Sequence, residues 1–217
     1  ADRMRIEARR VATIGVSPDL PTATNPASFR ERHGFGIAPV VVYVGRMMSQ
    51  KGAAAVLDAV AAVTQALPNV QFVFIGPGSD EEVRVFDNTP VNVHYLGKVS
   101  AQEKADALAA CDVFCMPSMS EILPTVYLEA WSLGKPVVGG RAHGLPELIE
   151  GNEAGLAAEQ NGAAVAVAII TVLTNTEMAE RYGANGNALV AANYSVPAVT
   201  SQLLQLYETV RNERTHP

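Results

Sequence analysis

From residue 40 onward, the chain alternates short runs of β-branched and aromatic residues with longer stretches of helical pattern. The first run ends in a glycine and is followed by an alanine-rich stretch that stops at Pro68 and Asn69. Alternation of this kind is typical of a parallel sheet covered by its connecting helices. We therefore predict an α/β fold, a parallel sheet with helices on both faces. The predicted strands are 40–45, 70–76, 91–97, 111–116, 136–140 and 155–158, and the predicted helices are 52–67, 124–133, 145–150, 163–173, 177–193 and 199–212, with another opening at a capping box in 100–103.

The composition is that of a folded domain without a basic face. Of the 217 residues, 48% are apolar and 18% are charged, which supports a core and argues against disorder. The formal net charge of −6 argues against a nucleic-acid partner. No apolar stretch approaches the roughly 20 residues of a membrane-spanning helix. Membrane association of another kind is left open by the sequence.

Cys111 and Cys115 flank a short apolar run, and we expect both to be buried free thiols. On one strand they would share a face but lie too far apart for a disulfide. No other cysteine or histidine stands close enough to suggest a metal pair, and we predict no metal. Free thiols favour a reducing compartment, and the first ten residues lack the apolar centre of a signal peptide. We therefore expect a cytoplasmic location.

Residues 1–39 differ in character from the rest of the chain. The segment 15–19 (Gly-Val-Ser-Pro-Asp) and the proline-, alanine- and threonine-rich stretch after it are typical of a linker, with a short helix near 29–33. We interpret 1–39 as an interdomain linker or N-terminal segment and 40–217 as one ligand-binding domain. A domain that begins with a linker suggests a chain cut out of something longer.

Basic residues and glycines follow the first three predicted strands at their carboxyl ends, where open parallel sheets bind ligands. Arg46 offers a planar guanidinium to phosphate oxygens, and Lys51 adds a compact positive charge. Glycines after the first two strands permit close backbone approach, and the main chain after the third strand can meet a base. The candidate residues on these loops are Gly45, Arg46, Lys51, Gly76, Lys98 and Val99.

Two glutamates, Glu121 and Glu129, flank a predicted helix start. Pro124 suits the first helical position, where its missing N–H costs nothing. The N–H groups of Thr125 and Val126 then lack partners within the helix, and the helix dipole makes them a seat for phosphate. Glu129 lies about one turn inside and leans back toward the same end. Because a carboxylate can accept paired hydroxyls, the element predicts a nucleotide-sugar site, with the diphosphate on the helix end and one glutamate on each sugar.

Several motifs occur together in this chain. They are Tyr43-Val44-Gly45-Arg46 with Lys51-Gly52, Phe74-Ile75-Gly76-Pro77-Gly78, His94-Tyr95-Leu96-Gly97-Lys98-Val99, Ala110-Cys111-Asp112-Val113, Pro117-Ser118, residues 121–138 and Gly144-Leu145-Pro146-Glu147-Leu148-Ile149. Over nearly the whole chain they resemble the retaining GT-B-type glycosyltransferases, the group 1 family that includes sucrose synthases and glycogen synthases. The resemblance is specifically to the C-terminal, donor-binding domain of those enzymes.

The resemblance implies a Rossmann-like sheet, the C-terminal half of a GT-B fold, and a role for each candidate. Arg46 and Lys51 would bind the donor diphosphate and stabilise the charge on the departing nucleotide. Glu121 would contact the hydroxyls of the donor sugar, and Glu129 the hydroxyls of the ribose. The other implied donor contacts are Gly45, Gly76, Lys98, Val99, Leu123, Pro124, Thr125 and Val126.

The donor is expected to be a UDP-sugar, because UDP is common in the family that the chain resembles. No cofactor and no metal are expected, since the basic pair takes the place of a cation at the diphosphate. These enzymes need a second domain that binds the acceptor, and nothing in the 217 residues supplies it. We therefore expect the chain alone to transfer little or no sugar.

Two departures from the family pattern and two alternative functions stay open. Leu123-Pro124 stands where many relatives have Phe-Gly, and residues 140–144 replace a shorter glycine pair. The chain could be a stand-alone, non-catalytic nucleotide-sugar-binding module, or a nucleotide-sugar epimerase with a GT-B fold. A dehydrogenase is disfavoured because no Gly-x-Gly-x-x-Gly follows the first strand. The base, the sugar and the acceptor are not revealed by the sequence.

Overall fold

A computed structural model describes residues 14–215, with side chains to residue 212, and its centre is a six-stranded sheet in which every neighbouring pair is parallel. The strands lie in the order β3-β2-β1-β4-β5-β6, so the strand order reverses between β1 and β4. This confirms the predicted parallel sheet, and α/β folds bind ligands where the order reverses. The strands are β1 (Val40–Val44), β2 (Gln71–Ile75), β3 (Val93–Gly97), β4 (Val113–Met116), β5 (Val137–Gly140) and β6 (Gly155–Ala158).

Helices cover both faces of the sheet, as predicted. Crossovers between parallel strands are right-handed. The connection from β1 to β2 runs toward one side of the sheet, whereas the connections into β4 and β5 run toward the other. Helix α2 therefore lies on one face, and α4 and α5 lie on the opposite face. Helix α2 packs against α7, and α5 packs against α8. The helices in the described residues are α1 (Pro26–Arg32), α2 (Ala53–Ala66), α3 (Asp80–Val83), α4 (Ala101–Ala110), α5 (Thr125–Ser132), α6 (Leu145–Ile149), α7 (Gly162–Thr174), α8 (Thr176–Asn193) and α9 (Val196–Thr215).

Two glycines let α8 lie close to the α5 side of the sheet. A Cβ at Gly186 would lie 2.1 Å from Trp131, and a Cβ at Gly183 would lie 2.0 Å from the carbonyl oxygen of Gly134. Trp131 is fully buried, and its indole Nε1 donates a hydrogen bond of 2.8 Å to the carbonyl oxygen of Ala154. Close packing of this kind leaves little room for α5 to shift.

The fourth strand begins later than predicted. Cys111, which the sequence placed at its start, caps α4 instead, because its N–H donates to the carbonyl oxygen of Ala107 at 3.1 Å. The strand begins at Val113. Cys111 and Cys115 are buried and free, as predicted. Burial raises the pKa of both thiols, that of Cys111 to about 12, so neither is a reactive nucleophile.

The start of α5 also differs from the prediction. Pro124, expected as the first helical residue, is the N-cap, with an extended ψ of 106°. The proline ring fixes φ and leaves ψ free, and the chain enters the helix only at Thr125. The carbonyl oxygen of Pro124 accepts the N–H of Tyr127 at 3.0 Å. The helix therefore starts one residue later than predicted, and the N–H groups of Thr125 and Val126 still lie at its start.

The prediction missed the short helix α3, although residues 79–82 carry the spacing of a capping box. It is capped by Ser79, whose hydroxyl accepts the N–H of Glu82, while the Glu82 carboxylate accepts the N–H of Ser79. A 3-10 helix, Arg84–Asn88, follows directly. Elements of four and five residues are too short to show a hydrophobic period.

Part of the segment interpreted as a linker packs into the domain. Phe29 on α1 is fully buried and Phe35 nearly so, and both join the main core. Arg30 donates to the carbonyl oxygen of Ala110 and to the carboxylate of Asp112, which ties α1 to the start of β4. Residues 1–13 lie outside the described residues. The division of the whole protein into domains stays a prediction.

Between residues 14 and 215, no single helix is both long and apolar enough to cross a membrane. One pair, Gly162–Thr174 with Thr176–Asn212, passes jointly by length and composition but is bent by 98°. In the same part of the chain, no group of three or more histidine, cysteine, aspartate or glutamate side chains is placed to hold a metal ion.

Candidate functional site

A cavity of about 380 Å³, here called the central cavity, lies at the carboxyl edge of the sheet beside β1 and β4. A second cavity of about 230 Å³, the β3-side cavity, lies next to it and shares Val44 and Lys104 with its lining. Every candidate residue from the sequence lines one of these two. The central cavity is lined by Gly45, Arg46, Lys51, Glu121, Leu123, Pro124, Thr125, Val126 and Glu129, and the β3-side cavity by Gly76, Lys98 and Val99.

A further cavity of about 340 Å³ opens at the opposite edge of the sheet, where the strands begin. It is lined by residues such as Pro39, Cys111 and Lys135, and by none of the candidates. Ligands of open parallel sheets bind at the carboxyl edge. The central cavity is therefore the candidate site.

Arg46 supplies a cation that is unpaired within the described residues. Its side chain is exposed at the end of β1 and makes no ion pair with any described residue. The hydroxyl of Tyr43 donates to the carbonyl oxygen of Arg46 at 2.8 Å. Tyr43 is almost fully buried, so this bond fixes the Arg46 main chain while the guanidinium stays available to an anion.

Lys51 and Glu121 form an ion pair across the central cavity. The ammonium Nζ of Lys51 lies 2.5 Å from Oε1 of Glu121. The Lys51 side chain is 28% exposed and that of Glu121 is 11% exposed, so the pair is partly shielded from water. Two residues that the sequence assigned to different ligand groups are thus in direct contact.

The loop that carries Lys51 is attached to the end of β4. The hydroxyl of Ser118 and the N–H of Met119 both donate to the carbonyl oxygen of Gln50, at 3.1 and 2.9 Å. The next residue, Gly52, has a φ of +83°, and a Cβ there would lie 2.6 Å from the carbonyl oxygen of Pro117. Only glycine tolerates both the conformation and the approach. Lys51 therefore belongs to a fixed part of the rim.

Gly45 and Gly76 are explained by the packing of the two strand ends. Gly76 has a φ of +136°, and a Cβ on it would lie 1.9 Å from the carbonyl oxygen of Gly45. The N–H of Gly45 donates to the carbonyl oxygen of Ile75 at 2.9 Å. Their first function is thus to let β1 and β2 end side by side. Their predicted contact with the donor stays a prediction.

The N-terminus of α5 faces the central cavity. The N–H groups of Thr125 and Val126 have no acceptor among the described residues. They lie at the positive end of the helix dipole, where an anion is stabilised. Tyr127 holds this end in place, because its buried hydroxyl donates to the carbonyl oxygen of Met116 at 2.6 Å.

Glu129 is buried, with 5% of its surface exposed, and its partner is Lys104 on α4. Nζ of Lys104 lies 2.8 Å from Oε1 of Glu129 and 2.7 Å from Oε2. Only the contact with Oε1 has the geometry of a hydrogen bond, and Oε2 has no hydrogen-bond partner within residues 14–215. Burial raises the pKa of Glu129, and the hydrogen bond and charge of Lys104 lower it part of the way back.

Sequence reasoning missed Lys104. A signal was present, since Lys104 lies in the first turn of the helix that opens at Ser100, just after Lys98 and Val99. A residue in that turn stays close to the carboxyl edge of the sheet. Its partner in α5 is 25 residues away along the chain, and a spacing of that length predicts no contact.

Lys98 and Val99 follow β3 and line the β3-side cavity. Lys98 is exposed and Val99 is half-buried. Their N–H groups have no acceptor within the described part of the chain. The main chain here can donate to a planar polar group, as the sequence predicts, while Val99 offers an apolar contact.

The arrangement as a whole fits a doubly charged, hydroxyl-rich ligand. Arg46, Lys51 and the N-terminus of α5 supply positive charge at one place. Glu121 and Glu129 supply acceptors in the same lining. Phosphate oxygens need the first kind of group, and sugar hydroxyls need the second.

The sequence model of the family described as "Glycosyl transferases group 1" matches residues 38–175. A phosphatidyl-myo-inositol mannosyltransferase of Mycobacterium tuberculosis is 33% identical over 178 residues, which are 78% of this chain and 47% of that protein. The chain spans about half the length of the curated relatives it matches.

Solved structures show the same fold. The HepE protein of Anabaena, in complex with UDP-glucose, is similar with a TM-score of 0.74 at 24% identity, over 86% of this chain and 52% of that one. The C-terminal domain of LpcC, a group 1 family glycosyl transferase of Francisella tularensis, is similar with a TM-score of 0.69 at 18% identity, over 84% of this chain and all of that one.

These comparisons confirm the family and the fold that the motifs predicted. The family match covers well over half of the chain and includes both lined cavities at the carboxyl edge. The chain therefore belongs to the group 1 glycosyltransferases.

Proposed function

We propose that this chain is the donor-binding half of a retaining glycosyltransferase that uses a nucleotide-diphosphate sugar. One observation carries the proposal: Arg46, Lys51 and the N-terminus of α5 converge on a cavity that has Glu121 and Glu129 in its lining. The UDP-glucose bound by HepE, which shares the fold, supports a ligand of this kind.

The diphosphate would lie between the two basic side chains and the free N–H groups of Thr125 and Val126. The guanidinium of Arg46, which makes no ion pair within residues 14–212, would bind it in bidentate geometry. Lys51 would exchange some of its contact with Glu121 for a phosphate oxygen. No metal ion is needed in this arrangement, because the positive groups come from the chain. Binding should therefore be unchanged by a chelator.

The two glutamates would fix the two sugars of the donor. Lys104, the partner of Glu129, lines the β3-side cavity, so Glu129 lies close to that cavity. There it would accept the ribose hydroxyls. Glu121 lies toward the loop cavity, a space of about 580 Å³ whose lining includes Leu123 and His143, and would accept hydroxyls of the transferred sugar. The base would then meet the main chain of Lys98 and Val99.

The chain would accelerate transfer by stabilising charge. As the bond from the anomeric carbon to the diphosphate breaks, negative charge grows on the leaving phosphate oxygen and an oxocarbenium-like sugar forms. Arg46, Lys51 and the helix dipole would stabilise that negative charge from the positions they already hold in the cavity lining. Groups fixed in advance in this way stabilise a transition state without having to reorganise.

The acceptor would be bound by a part of the protein outside these 217 residues. The relatives are about twice as long as the matched region. We expect the chain by itself to bind the nucleotide and to transfer little sugar, with transfer restored when the remaining half is supplied.

Calorimetry with UDP, GDP and ADP, on this chain and on Glu129→Ala, tests the proposal. We expect one nucleotide to bind, with a preference for UDP, and the affinity to fall in the variant. Binding of none of the three by the unaltered chain, with the remaining half of the protein present as well as absent, contradicts the proposal. Binding without sugar transfer in the assembled protein supports a non-catalytic module instead.

A further inference from the structure

Lys104 and Glu129 join two helices that come from successive β–α units. Lys104 is on α4, Glu129 is on α5, and their ion pair bridges the two at the edge of the site. Lys104 lines both the central and the β3-side cavity, whereas Glu129 lines only the central one. The pair therefore stands at the boundary between the two cavities.

The Glu129 carboxylate depends on this partner. Its side chain is 7% exposed, so water does little to stabilise its charge. A buried carboxylate without a counterion takes up a proton, which turns one oxygen into a donor and leaves fewer lone pairs for a ligand. Among the described residues, Lys104 is the one cation paired with it. The negative charge of Asp19 has the opposite effect and raises the pKa of Glu129.

One oxygen of this carboxylate lacks a well-directed hydrogen bond. Oε1 of Glu129 accepts a hydrogen bond from Lys104, whereas the buried Oε2 lies 2.7 Å from the same ammonium without the geometry of a hydrogen bond and has no hydrogen-bond partner within residues 14–215. Buried polar atoms in folded proteins are nearly always hydrogen-bonded. An acceptor of this kind in the lining of a ligand cavity points to a hydroxyl donor on the ligand.

We propose that Lys104 is a positioning residue for the donor: its ammonium holds the Glu129 carboxylate as the acceptor for the ribose hydroxyls. This inference rests on the proposed function. Lys104 acts through Glu129, and its contribution to binding is made only when the ligand carries those hydroxyls.

The test compares each nucleotide with its dideoxyribose form, which lacks both ribose hydroxyls. UDP and GDP are titrated, each in both forms, into the unaltered chain, Lys104→Met and Glu129→Gln. The unaltered chain should bind the ribose form on the order of 10-fold more tightly, which is typical of hydrogen bonds to a charged group. In both variants the ratio between the two forms should fall several-fold, because a neutral acceptor takes the place of the charged carboxylate. Lys135→Met, a change of the same kind at the opposite edge of the sheet, should keep the full ratio.

Loss of the Lys104 cation leaves a buried charge, so Lys104→Met carries a risk of unfolding. The double variant Lys104→Met/Glu129→Gln avoids that charge. It should bind UDP and GDP as Glu129→Gln does, because neither variant has a carboxylate at position 129 for Lys104 to position. Clearly weaker binding by the double variant overturns the inference. So does a Lys104→Met variant that weakens the ribose and dideoxyribose forms equally. Either result leaves the proposed function standing, whereas absence of binding by the unaltered chain, with the remaining half of the protein present as well as absent, overturns both.

Discussion

Replacing Glu121 with glutamine should strengthen the binding of a nucleoside diphosphate that carries no sugar. Lys51 is paired with Glu121 at 2.5 Å, so part of its charge is already neutralised before a ligand arrives. Glutamine keeps an amide oxygen that can accept from Lys51 but removes the negative charge. An entering diphosphate would then meet Lys51 and Arg46 without an opposing carboxylate.

The size of the effect follows from the geometry. A phosphate oxygen bound to Lys51 would lie about 5 Å from the Glu121 carboxylate, which is the observed 2.5 Å plus a charge-assisted hydrogen bond of about 2.8 Å. At an effective dielectric constant of about 20, two unit charges at that distance repel by about 3 kcal/mol. Screening at physiological salt roughly halves this value. We therefore expect a gain of about 1–2 kcal/mol, or roughly tenfold in affinity.

Calorimetry of UDP and UDP-glucose with Glu121→Gln and Lys51→Met measures the effect. UDP should bind roughly tenfold more tightly to Glu121→Gln and more weakly to Lys51→Met. UDP-glucose should gain less from Glu121→Gln, because the hydroxyl contacts of the glutamate are weakened at the same time. If Glu121→Gln weakens UDP as much as Lys51→Met does, the carboxylate serves to hold Lys51 in place and the reasoning is refuted.

Three further predictions concern the frame of the site and the charge of Glu129. Tyr127→Phe should lower the free energy of unfolding by about 1–2 kcal/mol, because the hydrogen bond to Met116 is buried; urea denaturation measures it, and an unchanged midpoint contradicts it. Gly76→Ala should cost about 2 kcal/mol or more in the same assay, since a Cβ would meet Gly45 at 1.9 Å at a φ of +136°. A stable variant would mean that the strand ends can separate. The fold raises the pKa of Glu129. At a pH between the usual carboxyl pKa and this raised pKa, the native state therefore binds more protons than the unfolded state. The contribution of Glu129 to the free energy of unfolding falls as pH rises through that interval. Glu129→Gln should remove that part of the pH dependence, and identical slopes for the two proteins would argue against it.

The sheet and the rim could be predicted because each motif directly follows a strand. In a parallel sheet all the carboxyl ends meet at one edge, so Arg46, Glu121 and Lys98 are brought together by topology alone. The positions of the hydrophobic runs along the chain are enough to tell which residues follow a strand. The packing of side chains is not needed to predict which residues lie at this edge.

The ion pairs could not be predicted, because they depend on how separate elements pack. Lys51 is 70 residues from Glu121, and Lys104 is 25 residues from Glu129. Such distances along the chain say nothing about contact in space. The capping role of Cys111 and the position of Pro124 outside the helix likewise depend on local main-chain bonds that residue type alone does not determine.

If a nucleoside diphosphate binds at the carboxyl edge of the sheet, an NMR titration of the isotope-labelled chain with UDP will locate it there. We expect the amide signals of Val99, Thr125 and Val126 to shift and to saturate together. The signals of Gly134 and Lys135, in the lining of the cavity at the opposite edge, should stay in place. Shifts confined to Gly134 and Lys135, or no shifts with UDP, GDP or ADP whether or not the remaining half of the protein is present, would contradict binding at this edge.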